Sequence, residues 1–234
     1  MKLAIAQTRP KVGEIAHNLN RHLELAEQAS SLDAQLVMFP ELSVTGYEPK
    51  LALEYARHPS DDCFKDLQAF CDQRDISMGV GVPLPTDTLP RIATYLFRPR
   101  REPLIYSKVH LHRDELPYFQ PGSDPPRLIV HEPPIAMAIC YELSLTEHAE
   151  KAYQAGAAVY LASAAKTAEG VDEASVSLSQ TASKYGMMTM LSNCLGLLDG
   201  VLCGGRSAVW GRHGKMVEQL GDQNEGIIVV DSET

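Results

Sequence analysis

A chain of 234 residues with 44% hydrophobic and 22% charged side chains has core material for one sizeable domain, taken as residues 1–234. A formal net charge of -9 argues against nucleic acid and anionic membrane surfaces, which are met by concentrated Lys and Arg, and points to a small-molecule substrate. Five cysteines without a Cys-x-x-Cys pair do not read as a disulfide framework, and no apolar run approaches the roughly 20 residues of a membrane span, so a reducing, cytoplasmic setting is expected.

Leu3 to Thr8 reads as a first strand and Glu14 to Ala29 as a helix, with Ile15, Leu19, Leu23 and Ala26 recurring at helical spacing. The strand Gln35 to Phe39 breaks at Pro40. Beyond it, the loop Pro40-Glu41-Leu42-Ser43-Val44-Thr45-Gly46-Tyr47 sets a carboxylate at a strand's C-terminal end, where open α/β sheets place ligands. Ser60 before Asp61 and Asp62 predicts a cap and an acidic first turn for a helix through Phe64, Leu67, Phe70 and Cys71 to about Arg74. Cys63 and Cys71 are read as packing residues. Ile76 to Pro83 and Ile92 to Arg98 are strands of a hairpin about the Pro-rich turn Pro83 to Pro90.

Leu104 to Ser107 is a short strand that delivers Lys108 into the polar segment Val109 to Glu115. The irregular stretch Leu116 to Pro126, with four prolines and one glycine, is too long for a simple connection and is read as folding over a site. Leu128 to Val130 and Ile135 to Ile139 follow as strands, the second a continuous apolar run of the kind covered on both faces, ending at Cys140. Glu142 and Ser144 predict a turn into a helix. Main-chain N–H groups at such a turn favour a thiolate and can hold an oxyanion. Thr146 with Glu147 starts a helix to about Ala155, Ala158 to Ala162 is a strand, Val171 to Tyr185 a helix ended near Gly186, and Met187 to Ser192 a strand. The Gly-rich run Gly196 to Gly205 is read as turns, followed by a hairpin of Ser207 to Trp210 with Lys215 to Leu220 and a last strand Ile227 to Asp231. This order of elements fits two sheets with helices on their outer faces better than one doubly wound sheet.

Eight histidines raise the question of a metal, yet there is no His-Glu-x-x-His, and His110 and His112 form only a pair. The glycines of 196–205 lack the Gly-Lys-Ser/Thr ending of a phosphate loop. His148 and Glu150 follow Cys140 as they would in a Cys-His-Glu set of the glutaminase type, but the predicted helix carries His148 away from the thiol, and it is read as a solvated helix residue. Glu41, Lys108 and Cys140 remain, each just past an apolar strand. A carboxylate can take the thiol proton and later activate water, an ammonium can stabilise an oxyanion, and a thiolate can attack a carbonyl or nitrile carbon. The plain alternative for Cys140 is a small buried hydrophobe.

Phe39-Pro40-Glu41-Leu42 with Thr45-Gly46-Tyr47, then Lys108-Val109-His110-Leu111, then Ile139-Cys140-Tyr141-Glu142 resemble, in order, the three signature segments of the nitrilase superfamily of carbon-nitrogen hydrolases. Glu115 ahead of Tyr118-Phe119-x-Pro121-Gly122 is similar to the family's second glutamate and its Phe-x-x-Gly loop, and Gly205-Arg206-Ser207 adds to the likeness, which spans Met1 to Asp231. The resemblance implies an α/β fold in four layers, an α-β-β-α sandwich, and a homodimer or higher homo-oligomer. It also implies Glu41 as general base, Lys108 as oxyanion stabiliser, Cys140 as nucleophile and Glu115 as a second carboxylate orienting Lys108 or the substrate, with the Tyr141 N–H completing the oxyanion hole. Tyr47, Tyr141, Ser163 and Lys166 are the expected substrate-binding residues, although Lys166 also reads as a solvated loop lysine.

Two departures from the family pattern bear on the oligomer and the substrate: the chain stops soon after its last strand, without the C-terminal extension many members use at the subunit interface, and Cys140-Tyr141-Glu142-Leu143-Ser144 differs from the Cys-x-Asp common among amidases. The expectation is a thiol amidohydrolase for a small linear amide or N-carbamoyl compound, without metal or organic cofactor. Nitrile hydrolysis and a non-catalytic binding protein on the same sandwich are the alternatives.

Overall fold

In the computed structural model, residues 1–123, 128–129 and 133–233 are described. Residues 124–126 of the expected irregular stretch, and Val130 of the expected strand, lie outside the described residues. The chain begins with β1 (Lys2–Gln7), α1 (Ile15–Ser31), β2 (Leu36–Met38), α2 (Ala52–Tyr55), α3 (Lys65–Arg74), β3 (Ser77–Leu84), β4 (Arg91–Arg98) and β5 (Arg101–Ser107). It continues with β6 (Leu128–Ile129), β7 (Ile135–Ile139), α4 (Thr146–Gln154), β8 (Val159–Ala164), α5 (Ala168–Tyr185), β9 (Met188–Asn193), β10 (Leu195–Leu198), β11 (Val201–Gly204), β12 (Ala208–Trp210), β13 (Met216–Gln219) and β14 (Gly226–Asp231).

These strands form two six-stranded sheets, ordered β14-β1-β2-β3-β4-β5 and β13-β12-β9-β8-β7-β6. Each has a parallel centre, β1-β2-β3 and β7-β8-β9, flanked by antiparallel strands. The period of two along a strand sorts the side chains into layers. Leu3, Ile5, Leu36, Met38 and Ile92 of the first sheet meet Ile135, Met137, Ile139, Leu161 and Met190 of the second in one shared core. Alternate residues point outward: Ala4, Val37, Val80 and Tyr95 pack under α1 and α3, and Ala136, Tyr160, Ala162 and Leu191 under α4 and α5. The result is the four-layer α-β-β-α sandwich that the two clusters of hairpins foreshadow. Between the sheets, Ser192 Oγ donates to Ala6 O at 2.6 Å and Ser207 N donates to Gln7 Oε1 at 2.9 Å, fixing one sheet against the other.

The details differ from the sequence reading at several points outside the site. Asp61, not Ser60, makes the cap, its side chain accepting from Cys63 N at 3.0 Å, so that a 3-10 turn Asp62–Phe64 leads into α3. β5 begins at Arg101 because Arg100, at φ 55, closes a tight turn after β4. The Gly-rich run is itself the hairpin β10-β11, with Leu195, Leu198 and Cys203 turned inward and Leu197 and Leu202 outward.

Candidate active site

The C-terminal ends of β2, β5 and β7 converge on one edge of the sandwich and deliver Glu41, Lys108 and Cys140. Pro40 ends the ladder of β2 after Phe39 N donates to Gly79 O at 2.8 Å, and the chain curls back over β3. Gly81 makes that curl possible, since a Cβ there would lie 2.2 Å from Leu42 N and 2.6 Å from Pro40 O. From outside, α1 pins the loop: Asn18 Nδ2 donates to Val44 O at 2.9 Å, and His22 Nε2 lies 2.9 Å from Ser43 Oγ. Burial pulls the His22 pKa down to about 4, so the ring is neutral at ordinary pH.

Lys108 is 0% exposed, and its Nζ donates to Glu41 Oε1 at 2.8 Å and to Glu115 Oε1 at 2.7 Å. Glu115 is buried almost as deeply. It is 1% exposed, its Oε1 also accepts from the Tyr47 hydroxyl at 3.0 Å, and its Oε2 accepts from His112 N at 2.7 Å. Of the four carboxylate oxygens of Glu41 and Glu115, Glu41 Oε2 is the one buried without a hydrogen-bond partner. Burial raises the Glu41 pKa, with the Lys108 cation opposing and Glu115 adding to the rise. On Lys108 burial acts downward, but Glu41, Cys140 and Glu115 together outweigh it and hold the ammonium charged.

Cys140 opens a 3-10 turn, Cys140–Ser144, in place of a direct start to α4, and its φ is 47. Left-handed backbone at a residue with a Cβ costs on the order of 1–2 kcal/mol, and it turns the thiol out of the strand direction toward the carboxylates. Burial pushes the thiol up to about 12, Glu41 adding to the rise while Lys108 and Lys166 oppose it. The resting group is therefore a thiol beside an unpartnered carboxylate oxygen.

A cavity of about 340 Å³ opens onto Cys140, within the size range of small-molecule sites. Tyr47, His112, Tyr141, Lys166 and Asp199 are among its walls. Lys166 is held there, half-buried, by its main chain, whose N–H donates to Asn193 Oδ1 at 2.8 Å, and its side chain makes no ion pair among the described residues. Ser163 is not part of the wall. On β8 it alternates with Ala162 and Ala164, which face α5, so it points between the sheets, buried and with Oγ unpartnered.

His148 corrects the sequence reading. It is 1% exposed on the inner face of α4 beside Ala149 and Ala152, and both ring nitrogens are engaged, Nε2 at 2.9 Å from Tyr106 Oη and Nδ1 at 2.8 Å from Tyr160 Oη. Neither nitrogen is left for the thiol. Sequence reasoning gave Glu142 only a turn-forming role, but it is 0% exposed and accepts from Tyr106 Oη and Ile139 N, both at 2.8 Å, and from Val109 N at 2.6 Å. A carboxylate three residues past the last strand residue is the spacing of a turn-capping acid, and that was the available signal. Among the described residues no group of three or more His, Cys, Asp or Glu could hold a metal ion. None of the described helices is long and apolar enough to cross a membrane.

The carbon-nitrogen hydrolase family model matches residues 2–233. A probable nitrilase of Schizosaccharomyces pombe is 24% identical over 97% of this chain and 86% of its own length. An (R)-stereoselective amidase of Pseudomonas sp. is 26% identical over 69% of this chain and 59% of its own. Among solved structures, a variant of the amidase from Nesterenkonia sp. AN1 in complex with butyramide superimposes with a TM-score of 0.90 at 26% identity, covering 99% of this chain and 90% of that one. Another structure of the same amidase carries acrylamide added to its active-site cysteine, with the same TM-score of 0.90. With the family matched from end to end and the sandwich shared, the chain belongs to the carbon-nitrogen hydrolases of the nitrilase superfamily, enzymes that hydrolyse C–N bonds other than peptide bonds.

Proposed function

We propose that the protein is a thiol amidohydrolase that cleaves a small linear amide or N-carbamoyl compound through a thioester on Cys140. The observation that carries this reading is Lys108 Nζ bridging Glu41 and Glu115 at 2.8 and 2.7 Å at the edge where Cys140 meets the cavity. Because the resting group is a thiol, attack needs a base at the moment of reaction, and Glu41 Oε2 is the free acceptor. The thiol proton passes to Glu41 as sulfur bonds to the carbonyl carbon. The carbonyl oxygen takes the negative charge and is held by Lys108 Nζ and the Tyr141 N–H. Collapse breaks the C–N bond, and the leaving amine takes the proton from Glu41. Water then gives a proton to Glu41, attacks the thioester and releases the acid, and the proton returns to sulfur.

Glu115, with both oxygens engaged, serves to hold Lys108 and the Tyr47 hydroxyl in place. Tyr47, Tyr141 and Lys166 supply the substrate wall. An amide is favoured over a nitrile because the structural relatives with bound ligands are amidases. Ammonia release from a panel of small amides, carbamoyl amines and nitriles tests the reading. Turnover of nitriles alone, or of nothing in the panel, would contradict it.

A further inference from the structure

Cys140 and Lys108 come from different sheets, β7 and β5, and a reaction between them needs their separation fixed to a fraction of an ångström. One side chain reaches both. Glu142 Oε2 accepts from Ile139 N at 2.8 Å, gripping the backbone directly before the strained Cys140. Its Oε1 accepts from Val109 N at 2.6 Å and from His110 N at 3.2 Å, gripping the backbone directly after Lys108. Tyr106, two residues before Lys108 on β5 and so on the same face, donates its hydroxyl to Glu142 Oε2 at 2.8 Å. No oxygen lone pair of this buried carboxylate faces solvent.

The shell behind it is ordered by the donors available. With the Tyr106 hydroxyl proton given to Glu142, Tyr106 Oη accepts from His148 Nε2–H at 2.9 Å, and His148 Nδ1 accepts from the Tyr160 hydroxyl at 2.8 Å. This tautomer keeps His148 neutral, in line with the downward pull of burial on its pKa. On the other side of the turn, Ser177 Oγ donates to Leu143 O at 2.7 Å and anchors it to α5.

We propose that Glu142 is a positioning residue that sets the distance between Lys108 and Cys140 by holding the main chain beside each, with Tyr106 and His148 orienting its carboxylate. The inference rests on the amidohydrolase reading for its kinetic readout, but its second readout needs no substrate. It also gives the left-handed Cys140 a physical cause, since strain of that kind persists where neighbouring contacts over-determine it.

The test is a double-mutant cycle between Glu142→Gln and Lys108→Met, read by the rate at which iodoacetamide alkylates Cys140, followed on the Cys140 peptide across pH. An amide in place of the carboxylate turns an acceptor into a donor that faces other donors. In an otherwise wild-type enzyme Glu142→Gln is expected to slow alkylation about tenfold and shift its pH profile upward, and to lower kcat on butyramide about 10²-fold with KM little changed. In the Lys108→Met background it is expected to change the alkylation rate less than twofold. Tyr106→Phe, which keeps the carboxylate and removes one donor, is expected to show the same pattern at smaller size, and it stands in if Glu142→Gln does not fold. Equal effects in both backgrounds, or lower melting temperature with an unchanged pH profile, would reduce Glu142 to a stabilising residue and overturn the proposal. If wild-type enzyme turns over no amide but the cycle is non-additive, the substrate reading fails and this one stands.

Discussion

Lys108 Nζ stands 2.8 Å from Glu41 Oε1 with neither side chain in contact with solvent, and Glu115 completes the cluster from the other side at 2.7 Å. Two carboxylates share one ammonium. Removing one member of such a buried set is strongly destabilising unless the others change protonation, so each variant below is to be checked for folding by circular dichroism before its kinetics are read.

Lys108→Met should lower the chemical step by about 10²-fold or more with a small change in KM, because an oxyanion donor acts on charge that exists only in the transition state. Steady-state kinetics on butyramide check this. An unchanged kcat with a raised KM would make Lys108 a ground-state binding residue.

Glu41→Gln and Glu115→Gln should fail differently. The Glu41 amide can accept a proton neither from the thiol nor from water, so both acylation and deacylation stop. The Glu115 amide keeps the shape and one acceptor, and acylation should be slowed yet visible by intact-mass measurement. A normal burst in Glu41→Gln with none in Glu115→Gln would exchange their roles.

Acid should loosen the loop that carries Glu41. His22 is neutral and buried against Ser43, and its pKa falls from an ordinary 6.5 to about 4 on burial. The unfolded chain therefore binds the extra proton first. Stability is unaffected above pH 6.5 and is lost progressively as pH falls from 6.5 toward 4, by on the order of 3 kcal/mol for this one group. His148, also lowered by burial, acts in the same direction. Chemical denaturation at pH 7.5 and 5 should show the loss in wild type and a shallower loss in His22→Gln. Equal slopes for the two proteins would remove His22 from the account.

Lys166 brings a cation to the cavity wall with no carboxylate partner among the described residues. An amide whose acyl chain ends in a carboxylate should therefore be preferred over a neutral amide of the same length, and Lys166→Met should bring the ratio of their kcat/KM values close to one. A ratio unmoved by the substitution would return Lys166 to the solvent-exposed reading.

The strands and their ends were legible in the sequence because apolar runs stop abruptly at Pro40, Lys108 and Cys140, and those three stops meet at the proposed site. The sandwich followed from hairpins that a single wound sheet could not hold. What stayed hidden depends on contacts between distant segments. Glu142 looks like any polar turn residue until Val109 and His110, more than thirty residues earlier, are brought against it. His148 reads as a helix-surface residue because nothing local tells that α4 turns that face toward Tyr106 and Tyr160. Ser163 misleads for the opposite reason, since proximity to Lys166 along the chain says nothing about which side of β8 it faces.

Cys140→Ala should abolish turnover with the melting temperature little changed, since it removes one half-buried sulfur at a strand end. Cys194→Ala should keep measurable turnover, its buried thiol lying 3.8 Å from the Glu41 carbonyl oxygen and outside the reacting set.

The central claim is a thioester on Cys140. The most direct measurement is rapid acid quench of wild-type enzyme with butyramide, followed by peptide mass analysis. The account predicts a butyryl group on the Cys140 peptide, absent from Cys140→Ala and from Glu41→Gln. Hydrolysis that proceeds at the wild-type rate in Cys140→Ala, or a butyryl group carried on another residue, would contradict it.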